Sequence, residues 1–134
     1  MNSESNCAVV ERFYAAMAAG DIEGILAALD PQVVVRQAEV LPWGGRFEGH
    51  DGFLEFGAAL LSTIESKVEI DALFEAGDHV VQRGRTRGTV RATGAPFDIA
   101  EVHVHTVRDG RIVASEMYID TPAMLAALGA PGPA

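Results

Sequence analysis

The chain is short of three things that would each narrow its role: paired cysteines, positive charge and long apolar runs. It has one cysteine, Cys7, so no internal disulfide can staple it. Cys7 sits at a predicted helix start with no basic cluster to lower its thiol pKa, which makes it a structural thiol rather than a nucleophile. Ten Lys and Arg stand against nineteen Asp and Glu, a formal net charge of −9, and the pI is near 4.7. A nucleic-acid partner requires a basic footprint and an anionic membrane surface attracts basic segments, so neither is expected. No apolar run approaches membrane-spanning length. The opening MNSESNCAVVERF lacks the basic and apolar regions of a signal peptide, and a cytoplasmic location is expected.

What is present describes a globular chain. With 49% apolar and 22% charged residues among 134, it can bury roughly two thirds of its unfolded surface around one core. A single domain over 1–134 is expected, ordered from about 7 to 128 between a frayed start (residues 1–6) and a Gly/Pro-rich tail, GAPGPA.

Val9, Val10, Phe13 and Met17 recur at helical spacing from Cys7, and Gly20 ends the run. Asp21 reads as the N-cap of a second helix, Ile22 to Leu29, which Asp30-Pro31 breaks. Val33 to Gln37 predicts a strand. Ala38 to Gly49 reads as irregular, with a turn at Leu41 to Gly45 carrying Trp43, and a third helix covers about Asp51 to Ser62. Strands follow at Lys67 to Glu75 and Val80 to Thr93, the latter with Arg83, Arg85 and Arg87 at one parity. Phe97 to Asp120 then predicts a hairpin turning at Asp109-Gly110, since a type I′ turn needs positive φ at both central positions. A short helix from Pro122 to Leu128 closes the order, with Asp120 as its N-cap.

Strict pairing outward from that turn sets Val107 opposite Ile112, His105 opposite Ala114, His103 opposite Glu116 and Glu101 opposite Tyr118. One face of the hairpin is then titratable. The other, Val102, Val104, Met117 and Ile119, is apolar and is expected under the helices. The resulting class is α+β, with the helices packed on one face of a curved antiparallel sheet.

The segments AVVERFYAAMAAGDIEGILAAL, VVVRQ, LPWGGRFEGHDGFLEF and HVHTVRDGRIVASEMYIDT, in that order, resemble the superfamily of nuclear transport factor 2, ketosteroid isomerase and the SnoaL-like polyketide cyclases. The resemblance spans about residues 8 to 128 and implies the cone fold: a cone-shaped curved antiparallel sheet with a mixed edge, three helices from the N-terminal half on its concave face and a short C-terminal helix. It implies no reaction, because that fold hosts enzymes, binding proteins and scaffolds alike. The isomerases' oxyanion tyrosine falls at Phe13, and Tyr14, about 100° further round the helix, is expected to point elsewhere. Their general base falls at Gln37, and their second oxyanion donor near Ala100 or Val102. The cyclases' acid/base aspartate falls at Met117.

The family's catalytic positions therefore read as empty, and no catalytic residue is assigned. The expected function is binding of a small hydrophobic or aromatic molecule in an apolar pocket formed by Phe13, Met17, Gln37, Trp43, Val102, Val104, Ser115, Met117 and Ile119. The alternative is a small-molecule isomerase, cyclase or hydrolase working by acid/base catalysis through Glu39, Glu101, His103 or Glu116. Two strand histidines without a third ligand predict no metal, and no cofactor is expected. Arg83, Arg85, Arg87, Glu101, His103, Glu116 and Tyr118 are expected on the convex face as a homodimer surface.

Overall fold

Helix α1 (Asn6–Ala19) opens where Ser5 accepts a hydrogen bond from the Ala8 N–H at 3.1 Å, and closes at Gly20, which takes the left-handed conformation at φ 68°. Val9, Val10, Phe13, Tyr14 and Ala16 are all buried, a wider stripe than a helix lying on a flat sheet needs. Asp21 caps α2 (Ile22–Ala28) by accepting from the Gly24 N–H at 3.0 Å. Residues 5–129 are described in this computed structural model. The expectations for residues 1–4 and 130–134 lie outside them.

Strand β1 (Leu29–Gln37) begins directly after α2 and passes through Pro31, where its register against β6 slips between Leu29 and Val34. Proline is tolerated at such an irregularity because no ladder hydrogen bond is demanded of it. The expected irregular segment holds a short strand, β2 (Gly45–Glu48), antiparallel to β1. Four residues give too short an alternation to read from sequence. Helix α3 (Gly49–Thr63) leads into β3 (Ile64–Ala76), β4 (His79–Val90), β5 (Pro96–Arg108) and β6 (Arg111–Ile119), and α4 (Thr121–Ala127) ends the order. The six strands form one sheet, β2-β1-β6-β5-β4-β3, antiparallel except for the β1–β6 pair. Helix α1 lies against strands β3 to β6, and α3 covers β1 and β2.

The turn between β5 and β6 is as expected, with Asp109 at φ 52° and Gly110 at φ 75°. The register beyond it is not. Val107 faces Ile112, but Thr106 faces Ala114, so Val113 is an extra, unpaired residue. One inserted residue exchanges the two faces of β6. His105 therefore stands opposite Ser115, His103 opposite Met117 and Glu101 opposite Ile119.

This bulge corrects the expected faces. Glu101, His103, His105, Ser115 and Met117 are all buried, whereas Glu116 and Tyr118 are exposed. Val102 and Val104 alternate with the buried histidines on β5 and look outward, half-buried. The interior of the cone carries the polar arm of β5 and the mostly apolar arm of β6.

Candidate active site

Burying two imidazoles, a phenol, a carboxyl and an amide is tolerable only if each finds a partner. They find one another. Tyr14, on the inner stripe of α1, places its hydroxyl 2.8 Å from His103 Nδ1 and 2.7 Å from His105 Nε2. His105 Nδ1 is 2.7 Å from Ser115 Oγ, which the Val113 bulge has brought opposite it. His103 Nε2 lies 3.5 Å from Glu101 Oε1, and the Gln82 amide nitrogen donates to Glu101 Oε2 at 2.6 Å. A continuous polar chain thus runs from Ser115 on β6 to Gln82 on β4, across the inner surface of β5.

Dehydration sets the charge of this chain. Burial pushes the His103 imidazole down to about 4, and burial together with the neighbouring His103 pushes His105 down to about 3. Both rings are neutral at pH 7. Burial, and then the Glu101 charge, push the Tyr14 hydroxyl above its ordinary value. Burial raises the Glu101 carboxyl too, partly offset by the Gln82 hydrogen bond. A raised carboxyl beside a neutral imidazole is an arrangement suited to proton transfer.

Glu101, His103 and Tyr14, with Gln37, Ser66 and Thr86, are the polar lining of a cavity of about 60 Å³. Its other walls include Phe13, Met17, Trp43, Phe56, Met117 and Met124. That volume holds a few waters. Gln37, Met117 and Ile119 also border an outer groove of about 330 Å³ that reaches Arg36 and Thr121.

Of the residues expected to form the pocket, Phe13, Met17, Gln37, Trp43, Met117 and Ile119 do line the cavity. Trp43 is 1% exposed and its indole N–H donates to Gln37 Oε1 at 3.1 Å, so it is a fixed wall. Ser115 lies behind the wall, on His105. Val102 and Val104 are on the opposite face of the sheet, and their placement in the pocket is overturned by the β5–β6 register. Glu101 and His103 are inside the cone, so their assignment to the convex face is overturned as well. Glu116 is exposed and accepts from the Tyr118 hydroxyl, and Glu39 is exposed on the β1–β2 connection, so neither joins the site.

Tyr14 points inward, against expectation: α1 contacts strands β3 to β6, and its buried face takes in both Phe13 and Tyr14. On β5 it is Glu101, rather than Ala100 or Val102, that faces the interior. Gln82 is outside the expected site, although the sequence carries a signal for it. Arg83, Arg85 and Arg87 at one parity of β4 imply that Val80, Gln82, Gly84 and Thr86 take the other, and all four are buried.

The remaining candidates are structural. Asp120 caps α4 by accepting from the Ala123 N–H at 3.2 Å. His50 donates to the Leu29 carbonyl at 2.9 Å, and exposed His79 contacts Thr106 Oγ1 at 3.1 Å. The Cys7 thiol is pushed up by burial, with Glu75 and Glu11 adding to it. Among the described residues no group of three or more His, Cys, Asp or Glu is placed to hold a metal ion. Nor is any helix among them long and apolar enough to cross a membrane.

The sequence model of the SnoaL-like domain matches residues 10–115. The chain belongs to the SnoaL-like family. It is 30% identical to an NTF2-like protein of unknown function from Burkholderia pseudomallei, with a TM-score of 0.87 over 95% of this chain and 100% of that one. TerC, crystallised with polyporic acid, is 29% identical with a TM-score of 0.85, covering 93% of this chain and 98% of that one. A Catenulispora acidiphila protein with a ketosteroid isomerase-like fold, in complex with trimethylamine, is 20% identical at a TM-score of 0.74, with 92% and 93% covered. No curated protein matches the chain. This SnoaL-like chain therefore has the NTF2-like cone fold expected of it.

Proposed function

We propose that this SnoaL-like protein is an acid/base enzyme that moves a proton between carbon and Glu101 in a small, uncharged, largely apolar carbonyl compound. The observation that carries the reading is the Glu101–His103 pair on the wall of the buried cavity, 3.5 Å apart. Glu101 Oε1 takes the proton from the carbon beside the carbonyl. The C–H electron pair moves to the carbonyl oxygen, where the neutral His103 Nε2–H donates a hydrogen bond to the enolate. Glu101 then returns its proton to carbon. Burial favours both roles, because a raised carboxyl is a stronger base and an uncharged imidazole can donate without first losing a proton. Among the described residues no Lys or Arg lines the cavity, and the chain is strongly acidic, which argues against an anionic substrate. The cavity's methionines, unbranched and adaptable, can yield to a ligand larger than its resting volume. TerC's co-crystallisation with polyporic acid supports a small organic ligand in this fold.

Incubation with a panel of small ketones in D2O, followed by proton NMR, tests the reaction. Loss of the α-proton signal is expected, slowed by 10²-fold or more in Glu101→Gln, the usual contribution of a general base. Exchange no faster than in buffer refutes it. Ligand-induced shifts without exchange would instead favour a second reading, a binding protein, which the absence of the family's own acid/base groups at Phe13, Gln37 and Met117 supports.

We also propose that the outer face of the sheet joins two copies. Arg83, Arg85, Arg87, Glu116 and Tyr118 stay on it. The corrected register adds Val102 and Val104 beside Tyr118, which is 53% exposed.

A further inference from the structure

A base and a hydrogen-bond donor work together only if the carboxylate and the correct imidazole nitrogen are both held in place. Gln82 touches both. It is 0% exposed and lies behind the cavity wall, so it has no access to a ligand. Its amide nitrogen donates to Glu101 Oε2 at 2.6 Å and stands 3.3 Å from His103 Nδ1. An amide nitrogen can only donate, so the imidazole nitrogen facing it must present its lone pair. The His103 proton is then on Nε2, toward Glu101 Oε1. The opposite tautomer would set N–H against N–H. Tyr14 passes the choice along: by donating to His103 Nδ1 it is left to accept from His105 Nε2–H, and His105 Nδ1 accepts from Ser115.

The backbone around Gln82 is shaped to seat it. A Cβ on Gly84 would fall 2.6 Å from Gln82 Oε1 and 2.0 Å from the Glu69 carbonyl oxygen, so only glycine fits there. Opposite, β3 carries an extra residue, Asp71, between Ile70 and Ala72. Bulges recur beside active sites because they re-aim side chains. Among the described residues the Gln82 Oε1 atom has no hydrogen-bond partner, so the amide's orientation is held by its nitrogen.

We propose that Gln82 is a positioning residue that holds the Glu101 carboxylate and fixes His103 as its Nε2–H tautomer, seated by the gap at Gly84. The proposal rests on Glu101 and His103 being the working pair. Its test is the long-range proton–nitrogen imidazole spectrum of the ¹⁵N-labelled full chain at pH 7 without ligand, so failure of ketone exchange bears on the reaction and not on this result. His103 and His105 are expected as Nε2–H tautomers. In Gln82→Met, similar in size but unable to donate, the His103 preference should fall roughly tenfold, the weight of one lost hydrogen bond. The Glu101 carboxyl, followed by ¹³C, should titrate at higher pH than in the wild type. A merely structural glutamine would alter stability and leave both signals in place. An Nδ1–H tautomer at His103 in the wild type overturns the proposal, as do an unchanged tautomer and carboxyl titration in folded Gln82→Met. If that variant does not fold, the wild-type spectrum decides alone.

Discussion

The two interior histidines should make the fold sensitive to mild acid. Unfolded, each imidazole takes a proton near pH 6.5. Folded, His103 does so only at about 4 and His105 at about 3. Above pH 6.5 both states are neutral and no difference arises. Between pH 6.5 and 4 the unfolded chain binds up to two more protons than the native one, so stability is lost as pH falls through that window, at up to about 1.4 kcal/mol per pH unit per histidine. Integrated from pH 7 to pH 5, the loss is about 1.8 kcal/mol for each ring, or 3–4 kcal/mol together. Two effects oppose it. The raised Glu101 carboxyl has the reverse sign, and protonation relieves some of the chain's net negative charge. The double variant His103→Gln/His105→Gln retains both opposing effects and lacks the imidazoles, so the difference between it and the wild type isolates the rings. Urea denaturation at the two pH values measures this. With a urea slope of about 2 kcal/mol per molar, the wild-type midpoint should fall by about 1.5–2 M more than the variant's between pH 7 and 5. A differential loss under about 1 kcal/mol would refute the reasoning, because imidazoles that accept protons so readily are not dry.

Two further outcomes are expected. Gly110→Ala places a Cβ at φ 75° in the hairpin turn and should lower the unfolding free energy by about 1–2 kcal/mol, read from the urea midpoint. An unchanged midpoint would mean that the turn adopts another conformation. Sedimentation in moderate salt should show a homodimer at micromolar concentration, and a monomer there would remove the outer sheet face as a self-association surface.

Fold and site were unequally legible in the sequence. Helical spacing, the Ser, Asp and Gly punctuation and the Asp109-Gly110 turn are local signals, and each is governed by chemistry within a few residues. The facing of the hairpin is not local. It depends on whether pairing continues unbroken from the turn, and Val113 carries no mark that separates a paired valine from an unpaired one. On β6 an apolar face does lie under the helices, where Met117 and Ile119 line the cavity. On β5 a polar face takes that place, because His103, His105 and Glu101 meet Tyr14, Ser115 and Gln82, and a polar face whose members satisfy one another can be buried. No segment read alone shows that meeting, since its members come from α1, β4, β5 and β6.

The bulge at Val113 gives the cavity an unusual kind of dependence. Most sites are defined by which residues occupy given places, and substitution is the way they change. Here the occupants of the β6 wall are decided by which residue is left out of the ladder between the turn and the wall. Were pairing to run unbroken through Val113, Ser115, Met117 and Ile119 would trade places with Glu116 and Tyr118 without a single side chain being altered. His105 would lose its serine, and a second carboxylate would enter beside Glu101. Pairing, as much as composition, is therefore a carrier of chemistry in this strand: loss of Val113 would leave the wall as it is, whereas drawing Val113 into the ladder would give an interior of opposite character.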